Sequence, residues 1–334
     1  LDDELGVANM AEYHYDDGAV YGFPTKYENS RWILINEDMF KEAGLDIPYD
    51  GWTYSEFLAD AEKLTHGEGQ DKVYGVCWAR KQSGKSILYA LDGVLGANQI
   101  YKNEEGTEVN FDNDVYRAGL NLVKETLDKG YAIPIEDEFS EDISVANTFL
   151  QGKCAIMLGV AQMRLCMDQE NYPHDFMTAL VPAPVPDDEK YNTEFYRKQI
   201  GTTGAGDLLS ISANTKYPEA SFEFAMWYLK GGMSPLVQGG RIPLWNGVNK
   251  DEVLSVLKQK AQGSIDMDSM ENYLSLDTTQ GVAAIKGHAS SEISSAWFEE
   301  FDAMCYGKQS VDQTVQNMEK RGNELIQTEL SSQK

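Results

Sequence analysis

Arg31-Trp32-Ile33-Leu34-Ile35 followed at once by Asn36-Glu37-Asp38-Met39-Phe40-Lys41-Glu42-Ala43-Gly44 is the stretch that decides the fold. The first run is apolar and β-branched, which predicts a short strand. Asn36 can cap a helix by accepting from backbone amides of its first turn, and Gly44 can end that helix in the left-handed conformation. A strand that feeds directly into a helix indicates an α/β protein.

The same alternation continues along the chain. Thr53-Tyr54-Ser55-Glu56 and Ser310-Val311-Asp312-Gln313 are capping boxes, and each predicts the start of a helix. Strands are predicted at 20–23, 31–35, 73–78, 154–158, 177–181 and 208–212. Helices are predicted at 37–43, 53–64, 86–95, 112–129, 142–150 and 219–229, with further helices in the C-terminal third. Strands separated by helices predict an α/β fold with covered sheets.

Charge and composition exclude several classes of protein. The 334 residues carry 28 Lys and Arg against 54 Asp and Glu, so the formal net charge is −26. A protein that binds nucleic acid in general, or that docks on an anionic membrane through its charge, needs a basic face. A chain with this net charge lacks one. Hydrophobic residues at 42% and aromatic residues at 11% argue against disorder. We expect an acidic globular protein with no nucleic-acid partner.

The cysteines give no sign of a metal site. Cys77, Cys154, Cys166 and Cys305 form no C-x-x-C pair and have no histidine at metal-ligand spacing. Cys154 stands in an apolar run, where a buried thiol is the simplest interpretation. A disulfide such as Cys154–Cys166 stays open.

Catalytic motifs are weak. The four histidines are scattered, and the chain has no G-x-S-x-G elbow and no H-E-x-x-H helix. We therefore expect neither an enzyme nor a cofactor. The alternative is nucleotide binding by residues 79–86, which fit a relaxed phosphate-loop pattern ending in Lys85 and Ser86. Ala79 stands where the loop needs its first glycine, and no later strand supplies an obvious magnesium-holding aspartate.

Aromatic residues in or beside predicted loops are more informative, because flat apolar rings stack on the C–H faces of sugars. Trp227 is not counted among these aromatic residues, because its apolar sequence neighbours predict that it lies on the buried side of a helix. The aromatic residues assigned to loops or their borders are Trp32, Trp78, Tyr89, Trp245 and Trp297.

Five blocks, the first in two parts on either side of a polar loop, resemble in their order the extracellular solute-binding proteins of ABC sugar importers, the family that includes maltose-binding proteins. Each block is short, and the agreement lies in their order and spacing along nearly the whole chain. The blocks cover residues 17–24, 35–45, 51–57, 149–157, 209–220 and 240–243.

The resemblance implies a two-lobed α/β fold of the periplasmic-binding-protein type (type II), with crossover strands forming a hinge. It assigns residues 1–28 and 207–247 to a first lobe, and 29–205 and 248–334 to a second. The family also has a βαβ segment before the position of Leu1, so the first lobe is expected to be incomplete.

The resemblance places the ligand in a cleft between the lobes. Arg80 and Arg241 are suited to bidentate hydrogen bonds with vicinal hydroxyls or a carboxylate. Gln162 stands where many sugar binders have the tryptophan of Gly-Pro-Trp, which argues against a maltodextrin-like ligand. The expected ligand residues are Tyr27, Glu28, Asn29, Arg31, Trp78, Arg80, Tyr89, Gln162, Thr203, Arg241 and Trp245.

By resemblance, the protein captures a mono- or oligosaccharide, closes around it and delivers it to the membrane permease of an ABC importer. A neutral sugar fits the acidic chain best. We expect an extracellular or periplasmic monomer, tethered as a lipoprotein through an N-terminus beyond Leu1. A surface adhesion or sensory protein built on the same fold is a third hypothesis.

Overall fold

The computed structural model describes residues 18–27, 32–78, 100–140, 145–198, 205–232, 234–245, 247–261, 263–275 and 287–332. The predicted helix at 86–95 and the phosphate-loop pattern at 79–86 lie outside these residues.

Seven strands form two sheets in the described residues. The four-stranded sheet has the order β3-β4-β2-β5, with β2 at Trp32–Asn36, β3 at Tyr74–Cys77, β4 at Cys154–Leu158 and β5 at Thr178–Pro182. Strand β2 runs antiparallel to β4 and β5, whereas β3 and β4 are parallel. The three-stranded sheet has the order β6-β1-β7, with β1 at Phe23–Tyr27, β6 at Ala205–Leu209 and β7 at Ile242–Pro243. Its pairings are antiparallel.

The helices follow in chain order. They are α1 Glu37–Glu42, α2 Tyr54–Leu64, α3 Asp114–Asp128, α4 Ile135–Ser140, α5 Val145–Leu150, α6 Met163–Cys166, α7 Glu194–Arg197, α8 Pro218–Trp227, α9 Lys250–Ala261, α10 Met267–Leu274, α11 Ser290–Cys305 and α12 Val311–Ser332. Short 3₁₀ helices span Gly69–Asp71, Val160–Gln162 and Ser234–Gly239, and a π-helical turn spans Tyr228–Gly232.

Strand β2 separates two large cores because successive side chains point to opposite faces of a sheet. Ile33 and Ile35 pack with Trp52, Phe57 and Trp297 on one face. On the other face, Trp32 and Leu34 pack in a second cluster that includes Tyr273 and Leu257. Both faces are covered, so every residue of β2 is buried. Trp32 and Trp297, which the sequence places in or beside loops, are therefore core residues.

The helix caps confirm the local sequence predictions. The Asn36 side chain accepts from the Met39 amide at 3.0 Å. Thr53 and Glu56 form both halves of the capping box, at 2.7 and 3.3 Å. The Gln313 amide donates to the Ser310 hydroxyl at 3.2 Å. These bonds satisfy backbone amides that have no partner within the helix.

Two strands lie about three residues from their predicted positions. Strand β1 occupies 23–27 instead of 20–23, and β6 occupies 205–209 instead of 208–212. The register explains the shift, because Phe23 pairs with Leu209 and Tyr27 pairs with Ala205. Pairing between distant segments, rather than local apolar content, sets these boundaries.

Two side-chain predictions are corrected by the structure. Cys154 is bonded to Cys77 across the parallel pair β3–β4, with a Cα–Cα distance of 6.3 Å, and Cys166 is a free, buried thiol. The open option of a Cys154–Cys166 bridge is therefore wrong. Trp227, predicted as helix core, is 60% exposed.

Candidate binding site

The carboxyl ends of β3, β4 and β5 lie at one edge of the four-stranded sheet. The register shows this, because the start of β2 pairs with the ends of its two neighbours: Trp32 with Pro182, and Ile33 with Leu158. Cys77, at the end of β3, pairs with Met157. We call this the carboxyl edge. Ligands of open α/β sheets bind outside such an edge, where connecting segments leave the strands.

The three-stranded sheet has a corresponding end. Tyr27, the last residue of β1, pairs with both Ala205 and Ile242, the first residues of β6 and β7. We call this row the crossing end. The segment 28–31 leaves it, and Arg241 immediately precedes it.

The crossing end lies close to the carboxyl edge. Tyr27 and Trp32 are five residues apart, so their Cα atoms are separated by at most about 18 Å. Ile242 pairs with Tyr27, yet its buried side chain packs in the core cluster that contains Trp32 and Leu34. The two sheets therefore meet where the chain passes between them.

Gly240, in the segment that precedes β7, packs against the segment that follows β4. A Cβ atom at this glycine would lie 3.1 Å from the Arg164 Cα, so the backbone of 240 packs closely on α6. Gln162 ends the 3₁₀ helix directly before α6 and is half-buried. The structure thus brings the segments of Gln162 and Arg241 together, two candidates separated by about 80 residues of sequence.

Arg241 is held by an ion pair. Its guanidinium donates to the Asp207 carboxylate, and Lys26 Nζ lies 3.6 Å from the other carboxylate oxygen. Asp207 has a positive φ of 52°, and its carbonyl accepts from the Thr25 hydroxyl at 2.9 Å. Adjacent strands of one sheet therefore supply two cations and one anion at the crossing end. Sequence analysis missed Asp207 and Lys26, because what distinguishes them is their distance from each other and from Arg241, which the sequence does not give.

Trp78 is a core residue, which corrects the expectation that its ring faces a ligand. The side chain is only 7% exposed, and its ring lies 5.8 Å from that of Phe57. The indole Nε1 donates to the Thr126 hydroxyl at 2.7 Å. An indole that is enclosed and hydrogen-bonded inside the protein has no face left for a sugar, so we exclude Trp78 from the site.

The other candidates divide into two groups. Tyr27, Gln162, Arg241 and Trp245 lie in the described residues, and Trp245 is half-buried just after β7. Glu28, Asn29, Arg31, Arg80, Tyr89 and Thr203 lie outside the described residues.

Neither a metal site nor a membrane span is found in the part of the chain that the structure describes. No group of three or more His, Cys, Asp or Glu residues there could hold a metal ion. No helix there is long and apolar enough to cross a bilayer.

The model of one protein family, the bacterial extracellular solute-binding proteins, matches residues 2–230. The chain belongs to this family. It is a solute-binding protein and not an enzyme, and the family works outside the cytoplasmic membrane. Neither this match nor the similar structures support the alternative of nucleotide binding by residues 79–86.

Solved structures share the fold of this solute-binding protein. An ABC substrate-binding protein of Listeria monocytogenes, solved with cycloalternan, is 18% identical with a TM-score of 0.68, covering 95% of this chain and 74% of its own. The sugar-binding protein MalE of Xanthomonas citri is 17% identical with a TM-score of 0.62, covering 98% and 80%. An ABC transporter solute-binding protein of Agrobacterium vitis, solved with D-mannitol, is 19% identical with a TM-score of 0.64, covering 94% and 74%. The fold is therefore the α/β fold of periplasmic binding proteins.

Proposed function

We propose that this solute-binding protein captures a carbohydrate between the carboxyl edge and the crossing end and delivers it to the permease of an ABC importer. The observation that carries the proposal is the convergence of chain connections at this place. A side chain from either sheet can reach a ligand there. Similar structures hold sugars or a sugar alcohol, namely cycloalternan and D-mannitol, which supports a polyhydroxylated ligand.

The mechanism we propose is closure of two lobes around the ligand. The lobes are residues 1–28 with 207–247, and 29–205 with 248–334, each containing one of the two sheets apart from the first residues of β6. A ligand that contacts both lobes only in the closed state shifts the equilibrium toward that state. In such a hinge, a few residues of the connecting segments would absorb the dihedral changes.

The ligand side chains we propose are Tyr27, Glu28, Asn29, Arg31, Arg80, Tyr89, Gln162, Thr203, Arg241 and Trp245. Arg241 is the most informative of these, because the structure describes its surroundings. Asp207 pairs with Arg241, and Lys26 leaves one net positive charge in this group. We propose a neutral sugar because the formal net charge of the whole chain, −26, opposes the approach of an anion. We also propose a monomer that is tethered outside the cell as a lipoprotein.

The test is calorimetric titration of the gene product with a panel of neutral oligosaccharides and sugar alcohols, including cycloalternan and D-mannitol. We expect at least one to bind. Arg241→Ala should weaken that binding by about 10- to 100-fold, the effect of losing charged hydrogen-bond donors. Lys320→Ala is the control, because its side chain is 76% exposed on α12.

Two results would contradict the proposal. One is a correctly folded protein that binds no member of the panel. The other is an Arg241→Ala variant that binds as tightly as the Lys320→Ala control.

A further inference from the structure

Asp207 has a backbone conformation that is unusual inside a β-strand. Its φ is 52°, in the left-handed region, although it lies within β6. In the described residues of β1 and β6, the ladder pairs the residues on both sides of this position but does not pair Asp207 with Thr25, which stands opposite. Left-handed backbone is unfavourable for a residue with a side chain, and it persists only where surrounding contacts hold it. This conformation therefore needs a cause in the contacts of Asp207.

The left-handed conformation directs the Asp207 carboxylate away from the core. In extended backbone Asp207 would share a face with Thr25, because side chains that stand opposite each other in an antiparallel pair lie on the same face. On that face Phe23 packs against Ala225 of α8, and Thr25 is 6% exposed. The Asp207 carboxylate is instead 52% exposed and lies beside Lys26, whose side chain belongs to the other face because successive residues alternate.

The carboxylate reaches across the central strand of the sheet. The strand order is β6-β1-β7, and Asp207 is in β6, whereas Arg241 directly precedes β7. One carboxylate oxygen accepts from Arg241 Nη1, and the other lies 3.6 Å from Lys26 Nζ of β1. The Asp207 carbonyl accepts from the Thr25 hydroxyl, also on β1, at 2.9 Å. Contacts to β1 and to the start of β7 therefore hold Asp207 in its conformation and fix the direction of its carboxylate.

Arg241 keeps most of its hydrogen-bonding capacity while it is held in this way. A guanidinium has five N–H donors in a rigid planar fork. In the described residues only its Nη1 is hydrogen-bonded to the protein, and the side chain is 40% exposed. The Nε–H and Nη2–H donors can then bind two oxygen atoms side by side, such as those of adjacent sugar hydroxyls. A fork whose orientation is already fixed loses less freedom when a ligand binds.

We propose that Asp207 is a positioning residue for the sugar. It fixes the guanidinium of Arg241 so that the remaining donors meet two adjacent hydroxyl oxygens, and Lys26 restricts the rotation of the carboxylate. Asp207 acts through Arg241 rather than by contact with the sugar. This inference rests on the proposed function, because Arg241 is one of its ligand residues, and it adds the group that orients Arg241.

The test is calorimetric titration of the full-length gene product with the panel sugar that binds most tightly. Asp207→Gly and Asp207→Asn both tolerate the left-handed backbone, but only the asparagine side chain offers an oxygen that can accept from Arg241. We expect Asp207→Gly to weaken binding about 10-fold and Asp207→Asn about threefold or less. In an Arg241→Ala background, Asp207→Gly should change binding by less than about twofold, because the group that Asp207 positions is absent.

A second measurement needs no sugar. The nitrogen NMR signal of the Arg241 Nε–H, identified by its loss in Arg241→Ala, reports how firmly the guanidinium is held. We expect that signal to shift or broaden in Asp207→Gly and to be retained in Asp207→Asn. An unchanged signal in Asp207→Gly would refute the inference.

The binding data separate two kinds of failure. Wild-type affinity in Asp207→Gly, or an equal loss of affinity in the Arg241→Ala background, would overturn the inference while the proposed function stands. A wild-type protein that binds no member of the panel would contradict the proposed function, and this inference would fall with it.

Discussion

At the residue scale, Asp60 couples the stability of the protein to pH. Burial raises the pKa of this carboxyl, Lys63 opposes the shift, and Glu56 and Asp46 add to it, so that the pKa reaches about 6. The folded state thus binds a proton more tightly than the unfolded state does. Stability is lost as pH rises from about 4 to about 6, because the half-buried side chain must then carry a charge.

Asp60→Asn should remove that penalty. At pH 7 we expect the free energy of unfolding to rise by about 1 kcal/mol, after allowance for solvent screening of a partly exposed group. The difference from the wild type should shrink below pH 6 and vanish near pH 4. Urea unfolding of both proteins between pH 4 and pH 7 measures this difference in the free energy of unfolding. Asp71→Asn, at an exposed position, should change stability by less than about 0.5 kcal/mol at any of these pH values. A constant difference across the range would contradict this account of Asp60.

At the element scale, the contact between β3 and α2 leaves no room for a side chain at Gly75. A Cβ atom there would lie 2.3 Å from the Ala61 carbonyl oxygen, which belongs to the helix backbone and cannot rotate away. Gly75→Ala must therefore push α2 off the sheet, and it should destabilise the protein by about 2 kcal/mol or more. Gly239→Ala is the matched control, since no heavy atom lies within 4 Å of its Cβ position. Chemical denaturation of both variants decides the point, and equal stabilities would show that β3 and α2 are not in close contact.

Sequence predicts elements well where the determinant is local. Asn36, Thr53 and Ser310 cap helices as expected, because each bonds to backbone amides within the next few residues. The sequence predicts the bounds of strands less well where the strands that pair are distant along the chain. The extents of β1 and β6 depend on each other across about 180 residues, and apolar content alone misplaced both.

The candidate site shows the same limit. The family resemblance identified Arg241 within a block and Gln162 by its departure from Gly-Pro-Trp, and the structure brings their segments together through Gly240. The sequence did not reveal that Trp78 points into the core toward Thr126, since an aromatic residue at the end of a strand can face either way. It also did not reveal Asp207, whose importance depends on its distance from Arg241 and Lys26.

At the scale of the whole molecule, two sheets of different size meet where the chain passes between them. In the described residues, the larger sheet has core clusters on both faces, and the smaller sheet packs helix α8 against Phe23 of β1. The closure that we propose would use this division, because a ligand at the crossing end would lie beside both sheets. The central claim is that a sugar binds at the crossing end.

Hydrogen–deuterium exchange of the full-length gene product, with and without saturating sugar from the panel, tests this claim most directly. Exchange slows where a ligand orders or covers backbone amides. We predict protection in peptides that cover residues 26–33, 158–164, 203–209 and 239–245, with no change in α11 or α12. A bound sugar that protects α11 and α12 instead, or a panel in which no sugar protects the four predicted segments, would contradict the account.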